Sequence, residues 1–119
     1  MRSRYAAYAT ANVAYLWRTL HASHVDKQRP ERDVLAELRR WCRQARFMGL
    51  LVLDARAADD DGVARVLFQA RVFVAGRNNS FMECSRFRHD GVGWRYVDGD
   101  LDARADPHTL RTIDAFLAR

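Results

Sequence analysis

The chain has 119 residues, of which 49% are hydrophobic and 29% are charged, with a formal net charge of +5. This length suits one domain with a buried core, so we expect a single domain over residues 1–119. No apolar stretch approaches the roughly 20 residues that cross a bilayer, which argues against a membrane protein.

Three helices are predicted in the amino-terminal third. Apolar residues at helical spacing predict a helix from Tyr5 to Leu20 in two pieces, the second capped by Asn12. A polar loop follows over 21–29, and Pro30 then begins a longer helix. The apolar stripe of this helix consists of Val34, Leu35, Leu38, Trp41, Cys42 and Ala45.

Four strands arranged as antiparallel hairpins are predicted next, because the apolar period changes from helical spacing to alternation. Turns with Asp or Gly, such as 59–62 and 76–79, separate them. Asp106 and Pro107 predict the start of a short final helix that ends near Ala118, with a stripe of Leu110, Ile113 and Leu117. The predicted strands are Phe47–Ala55, Val63–Ala75, Phe81–Arg88 and Trp94–Val97.

The order of elements predicts an α+β fold. A curved antiparallel sheet of about four strands would pack on three amino-terminal helices, and a short carboxy-terminal helix would close the chain.

The two cysteines, Cys42 and Cys84, form neither a metal-binding pattern nor a disulfide framework. A structural zinc site needs about four nitrogen or sulfur ligands close together, so we expect no metal, and we expect no cofactor. Cysteine usage of this kind is typical of a reducing compartment, which predicts a cytoplasmic protein.

The positive charge raises the alternative of nucleic-acid binding through a helical face with Arg39, Arg43 and Arg46. Nineteen of the 20 basic residues are arginine and twelve of the 15 acidic residues are aspartate, a bias that a GC-rich genome produces without selection for binding. The basic residues form no block of five or six like charges. We therefore do not expect nucleic acid as a partner, although the alternative stays open.

Several segments resemble the YchJ family of small bacterial proteins, from Met1 to about Asp100. The resemblance implies a cone-shaped, cystatin-like domain of the nuclear-transport-factor-like superfamily. The family has no settled biochemical function, which leaves a small-ligand-binding or protein-interaction module as our expectation. The matching segments are 1–8, Tyr15-Leu16 with Thr19 and His21, 49–53, Glu83 with 85–87, and Trp94 with 96–100.

The chain also departs from the family pattern. Family members carry cysteine-rich SEC-C segments that resemble zinc knuckles, and this sequence has none, so it is either a short natural member or a fragment. The family has Trp-His-Pro where this chain has Leu20-His21-Ala22. It also has His-Glu-Arg-Ser-Arg-Phe where this chain has Met82 to Phe87, so a role of that histidine cannot be transferred.

Glu83 is the strongest candidate for a site residue. It shares a strand face with Phe81, Ser85 and Phe87, which predicts a carboxylate that points inward toward the helices. A desolvated carboxylate has a raised pKa and can act as a general acid or base. A buried ion pair without chemistry is the alternative.

His21, Ser85 and Tyr96 complete the pocket candidates. One hypothesis is an enzyme in which Glu83 and His21 carry out proton transfer or hydrolysis, since histidine titrates near neutrality. The alternative for His21 is a helix-capping or loop histidine without a chemical role.

Charged residues in the two most specific family-like segments suggest structural ion pairs. We expect Arg2, Arg4 and Arg86 to pair with Asp98 and Asp100 and so to fix the first helix to the sheet. A cation site at the two aspartates is an alternative, but a turn explains the pattern better.

We also expect a homodimer, because superfamily members commonly pair through the outer face of the sheet. In this chain that face would present Leu67, Phe73, Met82 and Cys84, and an exposed apolar patch of this kind favours burial against a partner.

Overall fold

The computed structural model describes all residues, Met1–Arg119. The helices are α1 (Arg2–Ala9), α2 (Val13–Arg18), α3 (Glu31–Gln44) and α4 (Ile113–Leu117), with a 3₁₀ helix at Val25–Gln28. The strands are β1 (Ala45–Arg56), β2 (Val63–Val74), β3 (Arg77–Asn78), β4 (Phe81–His89) and β5 (Trp94–Asp102).

The sheet has the order β1-β2-β4-β5 with every pair antiparallel, and the two-residue β3 pairs with the end of β2. The α+β class and the antiparallel hairpins predicted from the sequence are confirmed. Side chains alternate as predicted along β2, where Phe68, Ala70 and Val72 are buried on the face that packs against the helices. No helix is long and apolar enough to cross a membrane.

The sheet begins earlier than the sequence pattern predicts. Ala45 has an extended backbone with φ −94° and ψ 141° and pairs with Val74, and Arg46 pairs with Phe73. The strand therefore includes two residues that the pattern assigns to the preceding helix, because sheet pairing with β2 satisfies their backbone groups. β5 also runs to Asp102, five residues beyond the predicted end at Val97.

The final helix begins later than predicted, at a cap formed by Thr112. The Thr112 hydroxyl accepts a hydrogen bond from the Ala115 amide at 3.1 Å. Asp106 instead closes a local turn, in which its carboxylate accepts from the His108 amide at 2.8 Å. The predicted start at Asp106 and Pro107 is therefore wrong, because the proline follows a turn-forming aspartate rather than a helix cap.

Helix α4 packs against the outer face of the sheet. Ile113 and Phe116 are fully buried and form one cluster with Leu67, Met82 and Cys84. Leu117, which the pattern places in the apolar stripe, is 47% exposed. The expectation that Leu67, Met82 and Cys84 form an exposed patch is therefore wrong, since the chain covers these residues itself, and the homodimer stays a prediction without that surface.

Candidate functional site

A cavity of about 260 Å³ lies between the inner face of the sheet and helices α1 and α3. Ten of its twelve lining residues are hydrophobic, and the exceptions are Arg4 and Glu83. The lining residues are Met1, Arg4, Tyr5, Tyr8, Trp41, Phe47, Phe68, Ala70, Phe81, Glu83, Tyr96 and Leu101.

Aromatic side chains form two walls of this cavity. Tyr5, Tyr8 and Trp41 all contact the ring of Phe47, with centroid distances of 6.0, 5.8 and 6.5 Å. Phe68 and Phe81 contact each other on the sheet at 6.3 Å. These residues come from α1, α3 and three different strands, so no local sequence pattern could identify them as one site.

Glu83 points into the cavity from β4, on the face that the alternation predicts, and is 8% exposed. The Ser85 hydroxyl and the Tyr96 hydroxyl both donate to Glu83 Oε2, the second at 3.0 Å. Oε1 receives no hydrogen bond from the protein. Because no fully buried side-chain polar atom lacks a partner, Oε1 must retain some exposure, and the Glu83 side chain lines the cavity.

Burial dominates the electrostatics of this carboxylate. Removal from water raises the pKa of Glu83, while the hydrogen bonds from Ser85 and Tyr96 and the charge of Arg4 oppose the rise. The pKa of Tyr96 is raised for the same reason, and the neighbouring carboxylate raises it further.

Arg4 is the buried cation of the site, with 5% exposure. Its Nη1 donates to the Leu16 carbonyl at 3.1 Å and to Thr19 Oγ1 at 2.5 Å, and the guanidinium lies 4.8 Å from the centre of the Tyr96 ring. The charge of Arg4 also opposes the rise in the pKa of Tyr8 that burial causes. Arg4 therefore joins α1 to the end of α2 and, through the ring, to β5.

The predicted ion pairs between the amino-terminal arginines and the aspartates of β5 are not present. Asp98 pairs with Arg86 on the outer face of the sheet, and Asp100 pairs with Arg119. Arg2 is exposed. Asp98 and Asp100 lie on the opposite face of β5 and therefore cannot pair with Arg4. Arg4 contacts β5 through the Tyr96 ring instead.

Because Arg4 and Asp98 do not form the ion pair expected from the sequence, Arg4→Ala and Asp98→Ala are expected to affect stability differently. Arg4→Ala is expected to lower the free energy of unfolding by about 1–3 kcal/mol, because it leaves the Leu16 carbonyl buried without its donor. Asp98→Ala is expected to change it by about 0–1 kcal/mol, since the Asp98–Arg86 pair is solvent-exposed. Urea unfolding midpoints measure both effects, and equal midpoints for the two variants would contradict the assignment.

His21 does not line the cavity. Its Nδ1 lies 2.7 Å from the Ser23 hydroxyl, and its side chain borders a separate surface pocket with Lys27 and Asp90. Ser85 lies behind Glu83 and is fully buried. Of the four pocket candidates, the structure brings the side chains of Glu83, Ser85 and Tyr96 together. The His21 amide donates to the Tyr96 carbonyl at 2.8 Å, but its side chain lies apart from theirs.

Gly99 is a site residue that the sequence pattern did not identify. It pairs with Ser85 across the sheet, and a Cβ placed on it would overlap the Glu83 carboxylate and lie 2.8 Å from Glu83 Cγ. Glu83 therefore occupies the space that the glycine leaves open. An isolated glycine within a strand is a signal of such close approach, but the predicted strand ended at Val97, before Gly99.

The charge state of Glu83 predicts a pH dependence of stability. The Glu83 carboxyl has a higher pKa in the folded state than in the unfolded state. Its contribution to the free energy of unfolding therefore decreases as the pH rises from the ordinary pKa to the raised pKa. Glu83→Gln should remove that loss, so the variant should gain stability relative to the parent protein as the pH rises above about 4.3, the ordinary pKa of glutamate. Denaturant unfolding across this range measures the difference. A constant difference would show that Glu83 titrates normally.

No group of three or more His, Cys, Asp and Glu side chains is positioned to hold a metal ion, and both cysteines are unpaired.

Known proteins are similar to this chain over most of its length. Residues 1–99 match the family model described as "YchJ, middle NTF2-like domain". A UPF0225 protein of Ralstonia nicotianae is 41% identical over 111 residues, covering 85% of this chain and 71% of the relative. A UPF0225 protein of Bordetella pertussis is 37% identical over 101 residues, covering 85% and 68%.

A solved structure is also similar. The solution structure of a SEC-C motif containing protein from Rhodopseudomonas palustris has 32% sequence identity and a TM-score of 0.65, covering 84% of this chain and 73% of that one. The description of the family model agrees with the nuclear-transport-factor-like domain expected from the sequence. The chain belongs to the YchJ family of uncharacterised proteins, also called UPF0225, and contains its middle NTF2-like domain.

Proposed function

We propose that this domain binds a small organic molecule in the cavity beside Glu83. The observation that carries the proposal is a buried carboxylate whose Oε1 has no protein partner, in a cavity whose lining is hydrophobic apart from Glu83 and Arg4. Ligand sites in proteins combine apolar, largely aromatic walls with a few polar groups that fix orientation. The cavity volume of about 260 Å³ is close to the lower end of the usual range, about 300–1,000 Å³, which favours a ligand with a single ring.

The proposal can be tested by filling the cavity. Ala70 is 3% exposed and lines the cavity from β2, so Ala70→Leu would place extra carbon atoms in the ligand space. Single-ring fragments are expected to bind the parent protein in ligand-observed NMR and to lose binding in Ala70→Leu. The matched control is Ala55→Leu at an exposed position of β1. Fragments that bind Ala70→Leu as well as the parent would contradict a site in this cavity.

A catalytic function receives less support. The enzyme hypothesis used Glu83 and His21 as an acid–base pair, and His21 borders a different pocket. Glu83 alone would have to transfer the proton, and the only titratable group that bonds to it, Tyr96, has a raised pKa and acts as a donor to the carboxylate. Binding therefore agrees better with the geometry than catalysis does.

A second candidate function is binding of a nucleic-acid phosphate backbone at one end of the molecule. Residues 38–53 and 66–82 contain six exposed arginines and no acidic residue. The pairing of Ala45 with Val74 and of Arg46 with Phe73 brings these segments together. The other 14 basic residues and all 15 acidic residues lie elsewhere, so the rest of the chain has a net charge of −1. The arginines are Arg39, Arg40, Arg43, Arg46, Arg71 and Arg77.

None of these six side chains forms an ion pair. Fluorescence anisotropy with labelled single-stranded RNA and DNA at several salt concentrations tests this candidate. Replacing Arg71 and Arg77 with Gln should weaken binding and reduce the salt slope by roughly 0.7 for each phosphate that the variant no longer neutralises. The control replaces Arg104 and Arg111, which are exposed outside this surface. Equally weakened binding in both double variants would show that the six arginines do not form a specific binding surface.

We also propose a cytoplasmic location, which the two unpaired cysteines support. The homodimer remains a proposal as well. Pairing through Leu67, Met82 and Cys84 would require displacement of α4, because Phe116 and Ile113 cover these residues on the outer face of the sheet.

A further inference from the structure

We propose that the ligand of the cavity is an organic amine, whose protonated nitrogen donates a hydrogen bond to Glu83 Oε1 while its apolar or aromatic remainder lies among the surrounding rings. This inference rests on the proposed function, since it names the chemical class of the molecule that the cavity binds.

The hydrogen bonds of Glu83 to the protein leave one carboxylate oxygen, Oε1, available to accept a hydrogen bond from a ligand. Both protein hydroxyls donate to Oε2, whereas Oε1 has no protein partner and is not fully buried, on a side chain that lines the cavity. Two donated hydrogen bonds stabilise the ionised form of a carboxylate, and an ionised carboxylate only accepts hydrogen bonds. Burial raises the pKa of Glu83 and so opposes this ionised form, which a cationic ligand would in turn stabilise. A ligand that reaches Oε1 of the ionised carboxylate must present an N–H or O–H group.

The charge balance favours a cation among the donors. Buried carboxylates are normally paired with a cation, yet Glu83 forms no ion pair within 4.0 Å. Removal of the charge from water is therefore only partly compensated by the two hydroxyls. A protonated amine at Oε1 would provide the missing positive charge in a site with little water, where the attraction is stronger than in solution.

The charge of Arg4 lowers the pKa of Glu83, but Arg4 forms no ion pair with the carboxylate. Its guanidinium is engaged by the Leu16 carbonyl, the Thr19 hydroxyl and the face of Tyr96. The Tyr96 hydroxyl, in contrast, donates to Glu83. Tyr96 thus contacts both charged groups. Arg4 joins the two amino-terminal helices, while Glu83 keeps an acceptor for the ligand.

The walls of the cavity also suit a cation. Faces of tryptophan, tyrosine and phenylalanine rings attract ammonium groups through their quadrupole, and seven of the twelve lining residues are aromatic. Only Tyr96 already holds a cation, the guanidinium of Arg4, among these rings. The remaining rings can contact both the ammonium group and an aromatic part of the ligand.

Three probes of nearly equal size separate the head groups: phenethylamine, phenethyl alcohol and phenylacetate. Titration calorimetry near neutral pH is expected to show that the amine binds at least tenfold more tightly than the alcohol, and that the acid binds most weakly. Glu83→Gln keeps an oxygen for Ser85 and Tyr96 but removes the charge. It should reduce the affinity for the amine at least tenfold and leave the affinity for the alcohol within a factor of about two to three.

The outcomes distinguish this inference from the proposed function. If phenylacetate or the alcohol binds as tightly as the amine, or if Glu83→Gln leaves the affinity for the amine unchanged, the amine class is wrong while the cavity remains a ligand site. If binding of the amine persists in Ala70→Leu, the cavity is not the site and both proposals fail. If none of the three probes binds the parent protein, the amine class is rejected, and the fragment experiment then decides on the cavity. Should Glu83→Gln fail to fold, the comparison of head groups on the parent protein decides alone.

Discussion

Phe116→Ala is expected to lower the free energy of unfolding by about 3–5 kcal/mol, the usual range for removal of a fully buried phenylalanine. Phe116 is 0% exposed and anchors a five-residue helix to the outer face of the sheet. The helix is too short to be stable by itself, so its position depends on this packing. Loss of the ring leaves a cavity and removes the main contact of the carboxy-terminal segment.

The matched control is the next residue of the same helix. Leu117 is 47% exposed, so Leu117→Ala should change stability by no more than about 0.5 kcal/mol. Urea unfolding followed by tryptophan fluorescence compares the two variants. Similar midpoints would show that Phe116 does not hold α4 in place and that other residues bury Leu67, Met82 and Cys84 on the outer face of the sheet.

The same variant tests the origin of self-association. Removal of Phe116 should uncover Leu67, Met82 and Cys84, which α4 buries in the folded chain. Exposed apolar patches of this kind favour association, so light scattering should show larger species for Phe116→Ala than for Leu117→Ala. Equal masses for the two variants would mean that the outer face stays covered or does not associate.

The part of this fold that local chemistry determines could be predicted from the sequence. Asn12 is the predicted cap of the second helix, and its side chain accepts from the Tyr15 amide at 3.3 Å. Alternation along β4 places Glu83 on the inner face, because the opposite register would bury Arg86. These predictions are correct because each depends on a period or a cap within one element.

The residues that the sequence pattern misplaces depend on contacts between distant elements. Helix α4 begins at Ile113 because the Asp54 carboxylate, on β1, accepts from the Ile113 amide at 2.8 Å. No local pattern contains that partner, whereas Asp106 and Pro107 form a strong local signal. Charge alone suggests an aspartate partner for Arg4. In the structure its guanidinium instead donates to the Leu16 carbonyl in α2 and lies over the Tyr96 ring.

The cavity itself could be predicted only in part. Glu83, Ser85 and Tyr96 are candidates on two neighbouring strands, and the sheet brings them together. The aromatic walls come from helices and strands that are far apart in the chain, so only the tertiary structure assembles them. His21 is a candidate because of its place in a family-like segment, and position in a motif does not determine where a loop side chain points.

Gly99→Ala is expected to lower the free energy of unfolding by about 2–4 kcal/mol, because the new methyl group and the Glu83 carboxylate cannot occupy the same space. Gly99 has no positive φ, so the backbone accepts alanine and the effect comes from the steric overlap alone. The carboxylate has to move away, and the hydroxyls of Ser85 and Tyr96 then lose their acceptor. Binding of a ligand at Oε1 should be lost in the same variant.

A double-mutant cycle assigns this effect to the overlap with Glu83. Glu83→Ala removes the side chain that the new methyl group meets, so Gly99→Ala should be much less destabilising in that background than in the parent protein. Residues in direct contact show coupling energies of about 0.5–3 kcal/mol in such cycles, whereas independent sites are additive. Additive effects of the two substitutions would show that Gly99 is needed for another reason. A large coupling would show that the glycine in the Asp98-Gly99-Asp100 segment holds the space in which the buried carboxylate is positioned toward the cavity.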